Sequence, residues 1–165
     1  MSQPQARAVA TAHDQPYVEA FNEIGAIDYF LRNAVGRRLP PGMTYAHFEL
    51  LRYLMRNGDG QTPAELARVL LLTKGAMTNV LQKMEALGYV AVLGDAKDLR
   101  KKRVRLARGG IEAANLVFRE MKGQTDALRS AFTDNEFRDA LPFLKALRTF
   151  LQEVSEPDAP AVGSR

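Results

Sequence analysis

The sequence predicts a mainly α-helical protein with one small β-hairpin. Apolar residues recur at three- and four-residue steps over most of the chain, which is the period of amphipathic helices. Capping residues and Gly- or Pro-containing stops divide this pattern into segments of helical length. A single pair of strand-like runs interrupts it. The predicted order is therefore four helices, a hairpin and two more helices.

Composition limits the class of protein. The chain has 165 residues, of which 46% are hydrophobic and 25% charged, as in ordinary globular domains. We expect one domain over residues 15–154, with flexible tails at 1–14 and 155–165, where small, polar and proline residues dominate. The absence of cysteine excludes disulfides, thiolate metal ligands and a catalytic thiol. No signal-peptide pattern and no membrane-length apolar run stand out, so we expect a cytoplasmic protein with no membrane association.

Glycine and proline residues end the first two predicted helices. The first spans about 15–38 and ends at Leu39-Pro40-Pro41-Gly42. Its predicted buried face carries Tyr17, Phe21, Ile24, Asp28, Leu31 and Val35, widened by Ala20, Ile27 and Ala34. The second opens at the N-cap residue Thr44 and stops at residues 57–60. The residues it should bury are Phe48, Leu51 and Met55.

Two short segments then predict a helix-turn-helix. In the sequence TPAE, Thr62 and Glu65 form a capping box at the start of a short helix. After a three-residue connection, Thr73 caps a helix over about 74–87, which Gly88 ends. A short capped helix followed closely by a second helix is the arrangement that places a recognition helix in a DNA major groove.

The helix at 74–87 has two contrasting faces. Its predicted buried face holds Met77, Val80, Leu81, Met84 and Leu87. The opposite face holds small or hydrogen-bonding residues, Gly75, Thr78, Asn79, Gln82 and Ala86. Such a face suits a major groove, because Asn and Gln amides can bond adenine, and Lys74 and Lys83 flank it where phosphates would lie. The free amides of the first turn, Thr73 to Ala76, also suit a phosphate. The alternative is an ordinary amphipathic surface helix, although Glu85 is its only carboxylate.

The predicted hairpin concentrates the positive charge of the chain. Strand-like runs at 89–93 and 102–107 flank a polar loop of about eight residues, and the second run alternates apolar and basic residues. From Asp95 to Arg108 there are seven cations and two acids, a local excess of +5 against +4 for the whole chain. A basic ribbon beside a helix-turn-helix can lie along phosphates or in a minor groove. The alternative is a solvated loop.

Two helices close the predicted order. One spans about 110–130. The other begins at a second capping box, formed by Thr133 and Glu136, and runs to about Val154. Its apolar positions approach a heptad seam: Phe137, Leu141, Leu144, Leu147, Leu151 and Val154. Pro142 lies within this helix and should kink it.

From Met43 to Gly110 the sequence resembles the winged helix-turn-helix of the MarR (multiple antibiotic resistance regulator) family. The matching stretches are TPAELARVL, LTKGAMTNVLQKMEALGYV, DLR and RVRLARGG, in that order. The most specific of them is the Asp-x-Arg motif of the wing, here Asp98 and Arg100. The helical order outside this segment also fits, so the resemblance covers about 15–154.

The resemblance implies a homodimeric transcription regulator, a repressor by the habits of the family. It implies a winged helix-turn-helix at about 43–108 and dimerisation helices at about 15–38 and 110–154, with double-stranded DNA as partner. Residues 73–83 would read the major groove, and Arg100, held by Asp98, would reach the minor groove. The predicted DNA-binding residues are Thr73, Lys74, Gly75, Ala76, Thr78, Asn79, Gln82, Lys83, Asp98, Arg100, Lys101, Lys102 and Arg103. Family members often release DNA on binding a small aromatic or phenolic effector in a crevice between the dimerisation helices and the winged domain.

Three positions depart from the family pattern. Val92 stands where a polar residue is usual late in the first wing strand, so we expect the wing to lack one backbone contact. Ala107 replaces a common threonine, so the next helix should lack a side-chain cap. Gly75 and Ala76 replace a serine- or threonine-rich start of the recognition helix, which should shift the preferred bases.

Four residues are candidates for effector binding: Asp28, Phe30, His47 and Phe48. Each has a plainer interpretation. Asp28 can pair with an arginine across the dimer or, more plainly, with Arg32 one turn later. His47 can be a partly buried structural histidine, and the aromatic residues, with Phe21 and Tyr29, can pack in the core. We expect no cofactor or metal site, because two histidines without cysteine make no zinc ligand set. No catalytic constellation stands out, so we expect no enzyme.

The rival functions are a winged helix that binds protein and an architectural DNA binder without sequence preference.

Overall fold

The computed structural model describes residues 15–95, 98 and 100–155. The predicted tail at 1–14 and, apart from Ser155, that at 155–165 lie outside the described residues. Over the described ranges the chain forms seven helices and a two-stranded antiparallel hairpin, which confirms the mainly α fold with a wing. It divides into two compact units, one up to Met121 and one from Lys122. The single domain expected over 15–154 stays a prediction.

The element order follows the prediction with one exception. The elements are α1 (Pro16–Gly36), α2 (Tyr45–Asn57), α3 (Pro63–Val69), α4 (Lys74–Ala86), β1 (Val90–Gly94), β2 (Lys102–Leu106), α5 (Arg108–Glu120), α6 (Lys122–Ala131) and α7 (Asp134–Ser155). The single helix predicted at 110–130 is wrong, because α5 ends with Met121 as its C-cap and α6 starts at the next residue. Gly123 close to this break has low helix propensity, which favours an interruption there.

Threonine caps begin three of the first four helices. The hydroxyls of Thr44, Thr62 and Thr73 accept the backbone N–H three residues later. At α2 the reciprocal bond comes from an unexpected partner, because the Thr44 N–H donates to Nδ1 of His47 at 3.0 Å. Burial, with a contribution from Lys83, lowers the pKa of His47. The neutral ring can therefore accept this bond. Ala107, at the N-cap of α5, makes no side-chain cap hydrogen bond, as its residue type predicted.

The turn between α3 and α4 has an unusual backbone. Leu72 N–H donates to Ala67 O at 2.8 Å, and Leu71 N–H donates to Arg68 O at 3.3 Å, which together make a Schellman motif. The residue in the left-handed position is Leu71, with φ 55°, where glycine is usual, as Gly88 is after α4. The Leu71 side chain is 67% exposed. The turn thus fixes the path from α3 into α4 and leaves the Leu71 side chain exposed.

The core of the first unit is built from α2, α3, α4, α5 and the hairpin. Its most deeply buried side chains include Leu50, Leu51, Leu54, Leu66, Met77, Met84, Val104 and Val117. The prediction that Met55 points inward is wrong, since it is 37% exposed while Leu50 and Leu54 are buried. The buried stripe of α2 runs through His47, Leu50, Leu51 and Leu54, at three- and four-residue steps that leave Met55 outside. Leu87 is exposed as well, because it is the C-cap where α4 ends.

Helices α1 and α7 expose their apolar faces in this chain. Val35 is the only buried residue of α1, and the exposed ones include Tyr17, Phe21, Ile24, Ile27, Tyr29, Phe30 and Leu31. In the second unit α7 exposes Phe137, Leu141, Leu144, Leu151 and Val154. Core packing of Phe21, Tyr29 and Phe30 is therefore wrong within one chain, whereas Phe48 packs edge-on against Phe118. None of the helices described is long and apolar enough to cross a membrane.

Candidate nucleic-acid interface

The outward face of α4 has the exposure that its sequence predicted. Gly75, Thr78, Asn79 and Gln82 are exposed, while Met77, Val80, Leu81 and Met84 are buried, which fixes the orientation of the helix. The side-chain amides of Asn79 and Gln82 make no hydrogen bond within the described part of the chain. These two amides can therefore hydrogen-bond to another molecule. The Thr78 hydroxyl donates to the Lys74 carbonyl at 2.9 Å. Lys74 and Lys83 are exposed, and Ala76 is half-buried.

The one carboxylate of α4 bonds to the hairpin. Oε1 of Glu85 accepts the backbone N–H of Val92 at 2.8 Å. This bond joins α4 to β1 and gives the Glu85 charge a donor of its own. The exposed face of α4 therefore carries lysines, amides and small residues without a competing acid at its centre.

The hairpin has a defined register and a third backbone segment beside it. Val90 pairs with Leu106 and Gly94 with Lys102, and the alternation predicted for β2 is confirmed by the buried Val104 and the exposed Arg105. The segment between α2 and α3 lies along β2. Gly60 N–H donates to Val104 O at 2.7 Å, and Val104 N–H donates to Gln61 O at 2.9 Å. These bonds attach the wing to the helix-turn-helix.

Asp98 organises the tip of the wing through the main chain. Its Oδ1 accepts the backbone N–H of Arg100 at 3.1 Å, and its carbonyl accepts that of Lys101 at 2.8 Å. Nζ of Lys101 lies 3.8 Å from Oδ2 of Asp98. The contact to Arg100 therefore sets its backbone, and within the described residues the Arg100 guanidinium has no hydrogen-bond or ion-pair partner. Arg100 and Lys102 are exposed.

Two arginines of β2 are bound to carboxylates instead. Nε of Arg103 lies 2.5 Å from Oδ2 of Asp95, and its Nη1 donates to Gly60 O at 3.1 Å. Nη1 of Arg105 donates to Asp59 Oδ1 at 2.9 Å, and the other oxygen of Asp59 accepts Leu106 N–H at 2.8 Å. These two donors lower the pKa of Asp59, the backbone N–H most. Sequence reasoning missed Asp59, which stands 46 residues before Arg105.

The structure brings some predicted site residues together. Arg100, Lys101, Lys102 and Arg103 line one groove with the start of α3, at residues 62–65. Residues 74–83 share the first three turns of α4, and Thr73 is its N-cap. The assignment of both sets to DNA contact stays a prediction.

A separate cavity of about 590 Å³ lies between α1, α2 and the turn from α3 to α4. Its lining includes Asp28, Arg32, Tyr45, Glu49, Arg52, Tyr53 and Arg56, with Leu71 on the turn. Arg32 pairs with Asp28 at 2.6 Å and lies over the Tyr45 ring, while Arg52 pairs with Glu49 at 2.7 Å. Arg56 has no ion-pair partner among the described residues.

Of the four effector candidates, Asp28 alone lines this cavity. Its pairing with Arg32 confirms the plainer interpretation of that residue. Phe30 is exposed on α1, His47 is buried at the cap of α2, and Phe48 belongs to the core. Sequence reasoning missed Tyr45, Tyr53 and Arg56. The described residues contain no cluster of His, Asp and Glu suited to a metal ion.

Comparison with known proteins agrees with this geometry. Residues 42–101 match the model of the MarR family. A MarR transcriptional regulator from Methanosarcina mazei Go1 is 23% identical, with a TM-score of 0.68 over 82% of this chain and 98% of that one. A mutant MarR from E. coli complexed with operator DNA is 23% identical, with a TM-score of 0.66 over 79% and 94%. The transcriptional regulator SlyA is 18% identical, with a TM-score of 0.70 over 84% and 97%. At these identities the structures establish a shared fold. No curated protein matches the sequence.

Proposed function

We propose that the protein is a sequence-specific, DNA-binding transcription regulator, because its winged helix-turn-helix matches the model of the MarR family over residues 42–101. The observation that carries the proposal is the exposed face of α4, where the amides of Asn79 and Gln82 are unpartnered in the described structure and the only carboxylate is bonded to β1. Amides of this kind can bond adenine in a major groove. The likeness to a MarR structure complexed with operator DNA supports the same partner.

The proposed regulator acts as a homodimer. The apolar faces of α1 and of α7 are uncovered in one chain, and contiguous exposed apolar surface of this kind typically marks an interface. A two-fold dimer would present two copies of α4 to successive major grooves about 34–36 Å apart, so its operator is a pseudo-palindrome. Occupying such a site within a promoter excludes polymerase, which makes the protein a repressor.

Alanine substitutions on α4 test the base-reading role. Asn79→Ala and Gln82→Ala should each change the preferred base at one or two operator positions by about 1–3 kcal/mol, because the base would lose the amide that bonds it. Binding to a panel of duplexes with single base-pair changes measures this preference. The control is Arg37→Ala, at an exposed position after α1, which should leave the ranking of duplexes unchanged. An unchanged ranking in both amide variants would contradict the assignment of α4 to the major groove.

We further propose that a small aromatic acid binds in the cavity between α1, α2 and the α3–α4 turn and releases DNA. Arg56 has no ion-pair partner in the described part of the chain and can pair with the carboxylate of the acid, while Tyr45 and Tyr53 offer aromatic walls to the ring of the acid. The wall at residues 69–72 continues directly into Thr73, the N-cap of α4. Occupancy can therefore couple to the placement of α4, and allosteric couplings of this kind amount to about 1–3 kcal/mol.

A thermal-shift series with benzoate and its hydroxy derivatives tests the effector site. A carboxylate that binds the folded chain should raise its melting temperature with increasing concentration. Arg56→Gln should remove most of this shift, while Arg37→Gln, which loses the same charge outside the cavity, should keep it. Equal shifts in both variants would place the binding site elsewhere.

A further inference from the structure

The connection between α2 and α3 binds the second strand of the wing, β2, through hydrogen bonds and an ion pair. We call the residues that make this contact the wing clamp: Asp59, Gly60, Asp95, Arg103 and Arg105. Asp59 holds both the Arg105 guanidinium and the Leu106 N–H, at 2.9 and 2.8 Å. Asp95 and the Gly60 carbonyl hold the two sides of the Arg103 guanidinium, at 2.5 and 3.1 Å. Two backbone hydrogen bonds between residues 60–61 and Val104 run through the middle of the clamp.

We propose that Arg103 and Arg105 are positioning residues, held by Asp59 and Asp95, that fix the wing so that Arg100 meets DNA in a set orientation. They are not themselves phosphate ligands. The inference rests on the proposed DNA binding of the wing. It reassigns Arg103, which the sequence places among the DNA contacts, and it gives Asp59 a role that no local motif indicates.

The surroundings of the two arginines support positioning. The side chain of Asp95 is only 13% exposed and that of Arg103 34%, so their ion pair is shielded from the screening that weakens surface pairs. Arg103 would have to give up a carboxylate and a carbonyl to reach a phosphate. Arg105 would have to leave Asp59 with one donor. Charge-assisted bonds of this kind are stronger than neutral ones, so DNA phosphates gain little by displacing them.

Gly60 shows how closely the clamp is fitted. Its φ of +98° lies in the region that favours glycine, and a Cβ there would come within 3.2 Å of the Arg105 guanidinium. The arginine thus packs on the backbone of the α2–α3 connection as well as pairing with its carboxylate. With both β2 arginines engaged and Lys101 paired with Asp98, Arg100 and Lys102 are the wing cations without an ion-pair partner among the described residues.

The two roles predict opposite signs for one substitution. If Asp59 were only an acid near a DNA-binding surface, Asp59→Asn would remove repulsion and tighten binding. If it positions the wing, the same change should weaken binding to the selected operator by about tenfold, which is within the range of coupling between contacting residues. The matched control is Glu112→Gln, which removes an exposed acid paired with Arg108 at 2.7 Å outside the clamp. The control should bind as tightly as the wild type or slightly more tightly.

The decisive experiment measures operator affinity against salt for the wild type, Asp59→Asn, Glu112→Gln, Arg100→Ala and the Asp59→Asn/Arg100→Ala double variant. We expect Asp59→Asn to weaken binding tenfold in the wild-type background but less than about twofold when Arg100 is absent, because both changes remove one positioned contact. Equal losses in both backgrounds would overturn the inference by indicating general destabilisation. Tighter binding by Asp59→Asn would also overturn it.

Two further readouts separate this inference from the proposed function. In the Arg100→Ala background, Arg103→Gln and Arg105→Gln should leave the salt slope of binding unchanged, whereas the loss of a phosphate ligand would lower it by about 0.9 each. A lowered slope would overturn the positioning role while leaving the DNA function intact. If the wild type bound no duplex at all, the proposed function would fall and the inference with it.

In the free chain, Asp59→Asn should speed amide hydrogen exchange at Val104 and Leu106, and unchanged protection there would show that Asp59 does not hold β2.

Discussion

Arg100→Ala is expected to weaken operator binding by about 1–3 kcal/mol without loss of fold. The Arg100 side chain is exposed and has no partner within the described residues, so its removal costs the free protein no contact seen in the structure. The backbone N–H of Arg100 donates to Oδ1 of Asp98 at 3.1 Å, so the main chain from which the side chain extends is held in place. A guanidinium placed in a minor groove, or on a phosphate, meets the negative potential of DNA directly. Titration of labelled duplex at several salt concentrations, together with a thermal melt, measures both effects.

The control for charge alone is Arg37→Ala. Arg37 is an exposed arginine at the end of α1, and its removal lowers the net charge by the same amount. It should change operator affinity far less than Arg100→Ala does. Equal losses for the two variants would show that Arg100 acts through overall charge, and the wing tip would lose its assigned role.

Gly110→Ala is expected to destabilise the fold by about 3 kcal/mol, since over-packing a closely fitted site costs about that much. A Cβ on Gly110 would lie 2.3 Å from the Tyr89 carbonyl oxygen and 2.9 Å from Cδ2 of Leu51. The carbonyl cannot retreat freely, because it accepts the Ala107 N–H at 3.0 Å where β2 passes into α5. Relief therefore requires α5 to shift away from α2 and β1. Urea unfolding followed by circular dichroism gives the change in the free energy of unfolding.

Gly75→Ala provides the matched comparison within the same unit. Gly75 lies in the first turn of α4 with nothing within 4 Å of its would-be Cβ. Alanine has the higher helix propensity, so this variant should be more stable than the wild type by no more than about 1 kcal/mol. If Gly110→Ala proved as stable as Gly75→Ala, the close packing of α5 on Tyr89 would be wrong.

The sequence predicted the helix starts and the faces of the helix-turn-helix because these depend on residues near each other in the chain. The capping residues Thr62 and Glu65 are three apart, and the buried stripe of α4 follows directly from its period. The turn residue Gly88 likewise marked its own helix end. Such local features can be predicted from the sequence, because the residues that form them are already neighbours before any tertiary contact forms.

The features that sequence reasoning missed are set by distant contacts. Asp59 meets Arg105 and Leu106 only after the hairpin docks against the α2–α3 connection, 46 and 47 residues away. The positive charge of β2 therefore looked available for DNA, although Arg103 and Arg105 are paired. The apolar stripes of α1 and α7 were visible in the sequence, but their period does not say which surface covers them. Within one chain they are exposed.

The most direct test of sequence-specific DNA binding is selection of bound duplexes from a random pool, followed by a salt titration of the recovered sequence. We expect a pseudo-palindrome with half-sites one helical turn apart, and an affinity that falls steeply with salt, at about 0.9 on log scales for each phosphate contact. Recovery of duplexes without a shared sequence would indicate an architectural DNA binder. A flat salt response, or no recovery above background, would contradict DNA binding and leave a winged helix that binds protein.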